Sequence, residues 1–262
     1  MSINIDVNNI KNIVVKVGTS TLTYDNGKLN LERIDKLCFV LADLKNRGVK
    51  VTLVSSGAIG VGVSKLGLSE RPKDTKGKQA AAAVGQCELM FLYDKLLSQS
   101  GCKTAQVLLT KDVVVDDKRR ENAHNTFKTL LDLDVIPIVN ENDAVSVEEI
   151  EFGDNDTLSA MVAAIVDANM LIILSDIDGL YDKDPRANKD AKIIHRVDVI
   201  DDYIKNTASG AGTSRGTGGM ITKILAAEIA KEHNVKTVIA NGEDPKIIQE
   251  IMSGKIDGTI FM

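Results

Sequence analysis

Apolar residues along the chain fall into short unbroken runs separated by stretches of helical spacing. Residues 13–17 (I-V-V-K-V), 49–54 (V-K-V-T-L-V), 103–109 (K-T-A-Q-V-L-L), 135–139 (V-I-P-I-V), 170–174 (M-L-I-I-L) and 235–240 (V-K-T-V-I-A) are short, β-branched and apolar, and are predicted as strands. A further short strand is expected at residues 193–197 and a small hairpin at 145–152. Between them, residues 31–46 carry Leu31, Ile34, Leu37, Leu41 and Leu44 at helical spacing, closed by Gly48. Helices are likewise expected at about 58–66, 77–100, 118–133, 157–168, 200–206, 220–233 and 245–252, with a polar loop at 69–76 and Gly85 as a weak point in its helix. The stretch from 157 (T-L-S-A-M-V-A-A-I-V-D-A) is too apolar for a surface helix and belongs in a core. Strands alternating with helices, most of them uninterruptedly apolar, predict a largely parallel sheet covered on both faces. Ligands of such sheets bind beyond the carboxyl ends of the strands. That points to Gly18-Thr19-Ser20, Ser55-Ser56-Gly57, residues 140–143 and Ser175-Asp176.

Composition narrows the function more than the fold. At 262 residues the chain makes one large domain or two small ones. A net charge of −5 leaves no basic excess for nucleic acid or an anionic membrane surface. Cys38, Cys87 and Cys102 form no C-x-x-C pair, and the three histidines are scattered, so neither a zinc site nor a disulfide framework is expected. Residues 1–12 hold no apolar signal segment, and no run reaches the roughly 18 apolar residues of a membrane span. The expectation is a cytoplasmic protein.

Four segments carry candidate chemistry. Asp154, Asn155 and Asp156 stand at the mouth of the core helix, where a cap needs only one such residue. Gly57-Ala58-Ile59-Gly60-Val61-Gly62 opens a helix after a strand, either as an anion site or as a tight turn. Residues 214–223 (S-R-G-T-G-G-M-I-T-K) run a glycine-rich loop into a helix, with Lys223 placed to follow a phosphate; the alternative is a mobile surface loop. Lys16 interrupts an apolar strand, either facing a ligand or snorkelling from an edge. With residues 140–143, the aspartates make an acidic region, while the lysines and glycines make a basic one. The division suits phosphoryl transfer from a nucleotide to a small cationic or zwitterionic acceptor. The missing G-x-G-x-x-G argues against a nicotinamide-dependent oxidoreductase.

Residues 14–20 (V-V-K-V-G-T-S), 55–60 (S-S-G-A-I-G), 140–145 (N-E-N-D-A-V), 153–156 (G-D-N-D) and 216–223 (G-T-G-G-M-I-T-K) together resemble the amino acid kinase family, in order and over essentially the whole chain. They are most similar to its branch acting on the γ-carboxylate of L-glutamate, the first step of proline biosynthesis. The resemblance implies a three-layer α/β/α sandwich, a mostly parallel sheet of about eight strands, and ATP with Mg²⁺. It implies a single kinase domain over residues 1–262, the acceptor bound roughly by 1–168 and the nucleotide by 169–262. By the same resemblance, Lys16 and Lys223 flank the transferring phosphoryl group, and Asp156 holds both lysines. Ser56, Asp143 and Asn155, with Asp154 nearby, take the substrate. Lys16, Ser175, Asp176, Thr217, Gly218, Gly219, Met220, Ile221, Thr222 and Lys223 hold ATP. Residues 178–185 form a nucleotide-side loop. A homo-oligomer (dimer or tetramer) and feedback inhibition by L-proline are also implied. The chain ends at Met262, so the C-terminal PUA-type domain that many such enzymes carry is not expected. An aspartate kinase-like member, and a non-catalytic amino-acid sensor on the same fold, stay open as alternatives.

Overall fold

The structure is a computed structural model, described for residues 3–24, 27–110, 112–145, 155–208 and 219–262. In chain order the first half gives β1 (Ile3–Asn4), β2 (Asn12–Val17), α1 (Thr19–Leu22), α2 (Leu31–Asn46), β3 (Lys50–Val54), α3 (Ala58–Lys65), α4 (Thr75–Ser98), β4 (Lys103–Leu109), α5 (Asp112–Val115), α6 (Asp117–Asp132) and β5 (Val135–Glu141). The second half gives α7 (Asn155–Ile165), β6 (Met170–Ser175), β7 (Arg196–Val197), α8 (Asp202–Ala208), α9 (Met220–Glu232), β8 (Lys236–Asn241), α10 (Ile247–Met252), β9 (Lys255–Ile256) and β10 (Thr259–Phe261). Eight strands form one sheet in the order β4-β5-β3-β2-β6-β8-β10-β7, and within it only the β10–β8 pair runs antiparallel. β1 and β9 pair apart from it.

Strand periodicity decides which layer each side chain joins. On β2, Ile13, Val15 and Val17 pack into a core shared with α2, α3 and α4, whereas Val14 packs into the opposite core, shared with α7 and α9. β6 repeats the division: Met170, Ile172 and Leu174 go one way, Leu171 and Ile173 the other. A residue two along from Val14 shares its face. Lys16 is therefore delivered to the α7 and α9 layer.

The chain builds outward from β2 through β3 to β5 and β4, then returns at β6 on the other side of β2. Such a reversal opens a crevice at the carboxyl ends of the central strands.

The structure revises several local expectations. Gly85 is no weak point. A Cβ there would stand 1.8 Å from Ala58 O, and one on Gly62 would stand 1.8 Å from Ala81 O, so the two glycines let α3 and α4 cross at backbone contact. β5 runs on through Asn140 and Glu141, both buried, two residues beyond the predicted 135–139. The short β10, which lies between β8 and β7 in the sheet, has too few residues to show a period. Residues 146–152 of the expected hairpin lie outside the described residues.

Candidate active site

Lys16 is 6% exposed on a strand with neighbours on both sides, so it does not snorkel from an edge. Its Nζ lies 2.5 Å from Asp156 Oδ1. Lys223, in the first turn of α9, places Nζ 3.0 Å from Asp156 Oδ2. The carboxylate between them has no solvent exposure. Burial works against ionisation of Asp156, but the charges of Lys16 and Lys223, with their hydrogen bonds, outweigh it and hold the carboxyl well below the usual carboxylate range. The Thr222 hydroxyl stands 2.9 Å from the same Oδ2 and 2.7 Å from Gly219 O, sharing its one proton between them. Two cations around one anion leave a net positive charge in a dry place. Such a cluster is costly unless a further anion completes it.

That anion has a seat. Gly219 stands at the N-cap of α9 and makes no side-chain hydrogen bond to the first-turn N–H groups, which point to the positive end of the helix. Met220 turns its side chain into the core and Ile221 stays exposed, so at these two positions the backbone is what remains for a phosphate. Thr217 and Gly218 lie outside the described residues.

One residue before Asp156, Asn155 faces another way, as successive helical positions must. Its Nδ2 donates to Ser55 O at 2.6 Å, Asn140 Oδ1 at 2.8 Å and, more weakly, Ser56 Oγ at 3.2 Å. Neither side chain merely caps α7: one is tied to the ends of β3 and β5, the other to the lysines. Asp154 lies outside the described residues.

At the end of β5 the charge is reversed. Glu141 is 3% exposed, and neither carboxylate oxygen has a hydrogen-bond partner among the described residues. Asp143 stands two residues on. Burial, then the negative charge of Glu141, push its carboxyl up to about 6, with Arg71 opposing. No hydrogen bond joins Asp143 to Ser56 or Asn155 among the described residues. Glu141 and Asp143 thus put two carboxylates at the end of β5, next in the chain to the Asn140 that Asn155 bonds, which suits a cationic group on a ligand.

The third cluster lies at the ends of β6 and β8. Ser175 is buried and its hydroxyl reaches Asp176 Oδ1 at 3.3 Å, while Asp176 pairs with Arg186 at 3.3 Å. Asn241 and Tyr181 both donate to the Asp178 carboxylate, at 2.7 and 2.9 Å. Burial, then the hydrogen bond to Asp178, push the Tyr181 phenol up to about 12. Of the Gly57–Gly62 glycines, Gly57 sits at the mouth of α3 with φ +86°, a turn that favours glycine, and Gly62 serves the helix crossing instead.

From the sequence, Asn140 and Glu141 enter only as part of the acidic stretch 140–143, without individual roles, and Gln86 is not singled out. Glu141 is a carboxylate two residues past the predicted strand, but nothing local signals its burial. Gln86 lies in the middle of a helix, and nothing in its local pattern sets it apart.

Residues 11–241 match the model of the amino acid kinase family. The chain is 54% identical over 256 residues to a glutamate 5-kinase of Clostridium perfringens (strain 13 / Type A), covering 96% of this chain and 95% of that protein. Among solved structures it is similar to the isopentenyl phosphate kinase of T. acidophilum (TM-score 0.64, 17% identity, 95% of this chain and 99% of that one). It is also similar to the UMP kinase of Ureaplasma parvum (TM-score 0.65, 15% identity, 96% and 98%). At those identities the structural likeness speaks to the fold, a mostly parallel eight-stranded sheet between helical layers.

Proposed function

This chain belongs to the amino acid kinase family and, within it, to the glutamate 5-kinases, and on that premise we propose that it transfers the γ-phosphoryl group of ATP to the γ-carboxylate of L-glutamate through the residues gathered here. The observation that carries the reading is the buried Lys16–Asp156–Lys223 bridge, with its two cations to one anion beside the N-terminus of α9.

The γ-carboxylate is ionised at neutral pH, so the attack needs no general base. A carboxylate oxygen forms a bond to the γ-phosphorus in line as the bond to the bridging oxygen of ADP breaks, giving an acyl phosphate and ADP. Lys16 and Lys223 meet the transferring group from two sides, and Asp156 fixes their separation. Positioning and preorganised charge supply most of the rate. Asp143, Asn155 and Ser56 hold the substrate, with Glu141 adding charge for the α-ammonium. Ser175, Asp176 and the start of α9 hold the nucleotide. The acceptor part spans roughly residues 1–168 and the nucleotide part 169–262, with Asp156 joining a lysine from each.

ATP arrives as its Mg²⁺ chelate, which lowers the charge of the phosphates. Among the described residues no group of three ligating side chains is assembled, and both oxygens of Asp156 are committed to lysines, so phosphate and water oxygens suit the ion better than this donor set. Among the described residues no helix is long and apolar enough to cross a membrane. The same reading takes the enzyme as cytoplasmic and homo-oligomeric. L-proline inhibits at or beside the acceptor pocket, whose carboxylates suit its ring ammonium.

ADP release from Mg-ATP, compared for L-glutamate, L-aspartate and N-acetyl-L-glutamate with hydroxylamine present, tests the reading. Turnover and trapped hydroxamate with glutamate alone is expected. Turnover with aspartate moves the protein to a sibling activity, and ATP binding without turnover makes it a sensor.

A further inference from the structure

Behind the acceptor pocket, three amides form a chain whose polarity can be read without relying on how any amide was oriented. Asn140 Oδ1 receives the backbone N–H of Glu141 at 2.9 Å, and a backbone donor can only face an oxygen. Asn155 Nδ2 lies 2.6 Å from the Ser55 carbonyl, which can only face a donor. The NH₂ of Asn140 is thereby turned toward α4, where Gln86 Oε1 accepts it at 2.8 Å. Asn140 Oδ1 in turn accepts from Asn155 at 2.8 Å. With its NH₂ committed, Asn155 has its carbonyl oxygen left to present to a ligand. Gln86 and Asn140 are 8% and 1% exposed, so water is a poor substitute at either joint.

From this geometry we propose that Gln86 is a positioning residue for acceptor recognition, acting through Asn140 to fix the direction in which Asn155 meets the acceptor's ammonium. The proposal rests on the glutamate 5-kinase reading and deepens it. α4 is suited to the task. The crossing of Gly85 against α3 sets its height next to Gln86, and Tyr93, two turns on and fully buried, lies 2.9 Å from the Ser55 hydroxyl. One helix face thus supports the ends of both β3 and β5. The lysine bridge makes none of these bonds, so the effect belongs to the acceptor and not to ATP.

The test uses the full chain carrying Gln86→Met, which keeps size and loses the acceptor oxygen, and Gln86→Glu, which keeps that oxygen whether or not its carboxyl is protonated. Initial rates are measured with L-glutamate and ATP varied separately. Gln86→Met is expected to raise the glutamate KM roughly tenfold, the scale of one buried hydrogen bond left unmade, with the ATP KM within about twofold of wild type. Gln86→Glu is expected to recover most of the loss. In an Asn140→Asp background, which has no NH₂ to offer, Gln86→Met adds little further. The proposal is overturned by an unchanged glutamate KM, by glutamate and ATP KM values rising together, or by Gln86→Glu being as impaired as Gln86→Met. Should Gln86→Met not fold, Gln86→Glu against Asn140→Asp decides it: only the second raises the glutamate KM. If wild type turns over aspartate in place of glutamate, the substrate reading fails, and the same KM comparison with aspartate still decides the role of Gln86. Wild type that turns over no amino acid removes both.

Discussion

The lysine bridge and the acceptor pocket meet at consecutive residues, Asp156 and Asn155, yet they handle buried charge in opposite ways. At the bridge each side-chain cation is tied to a carboxylate before any ligand arrives, and the excess is positive. In the acceptor region Glu141 is buried with no hydrogen-bond partner among the described residues, Asp143 is half-buried with the Arg71 charge acting on it, and the oriented groups are neutral amides. A phosphoryl group must be met by charges already in place as the bond breaks, and the bridge has them in place. An amino acid brings its own cation, so the pocket is built to be incomplete without it.

The largest effect expected from breaking this contrast lies on the bridge. Lys223→Ala should lower kcat by roughly 10² to 10³, the scale for losing one preorganised charge stabiliser. A kcat that survives with only the KM for ATP raised would make Lys223 a binding residue. Asp143→Asn should instead act through the acceptor, raising the glutamate KM by roughly 10- to 100-fold, the scale of one charge-assisted hydrogen bond, with kcat much less affected. Comparing kcat and KM across the two variants separates the regions in one data set.

The pH profile gives a smaller and more local effect. The Asp143 carboxyl of the free enzyme titrates at about 6, so kcat/KM for glutamate should fall up to tenfold per pH unit below that value, and Asp143→Asn should flatten the limb. Stability runs the other way. The folded-state value lies above the ordinary 3.8, so protonation of Asp143 favours the folded state, and that contribution is lost as the pH rises through about 6. A thermal-unfolding series from pH 5 to 7 in wild type and Asp143→Asn checks the sign.

Gly85→Ala should show the smallest effect on chemistry. Its new methyl meets the Ala58 carbonyl, at a cost of roughly 1–3 kcal/mol for overpacking and a fall in Tm of roughly 2–10 °C. Because Gln86 is the next residue, the glutamate KM should rise more than the ATP KM. Equal rises would detach the helix crossing from the acceptor pocket.

Much of this was legible before the structure. The parallel sheet followed from short apolar runs, and Lys16 announced itself as a charge in an apolar strand. The composition of residues 153–156 marked the mouth of α7. What remained hidden depends on tertiary packing. Gly85 reads locally as a helix weakness and is a crossing point only because α3 lies against it. Gln86 gains meaning only when β5 brings Asn140 within 2.8 Å, 54 residues away in the chain. The exit of Asn140 and Glu141 from water was equally invisible, because polar residues past an apolar run carry no local signal of burial.

The contrast between a preassembled cationic bridge and an anionic pocket that waits for its cation is tested most directly with an acceptor that lacks the ammonium. Glutarate keeps the reacting carboxylate of glutamate and drops the α-amino group. With wild type, kcat/KM for glutarate should fall roughly 100-fold or more below that for glutamate, and in Asp143→Asn most of the gap should close, because the partner of the ammonium is gone. A gap of the same size in both proteins would show that the Asp143 carboxylate does not read the ammonium, and the pocket would need another explanation.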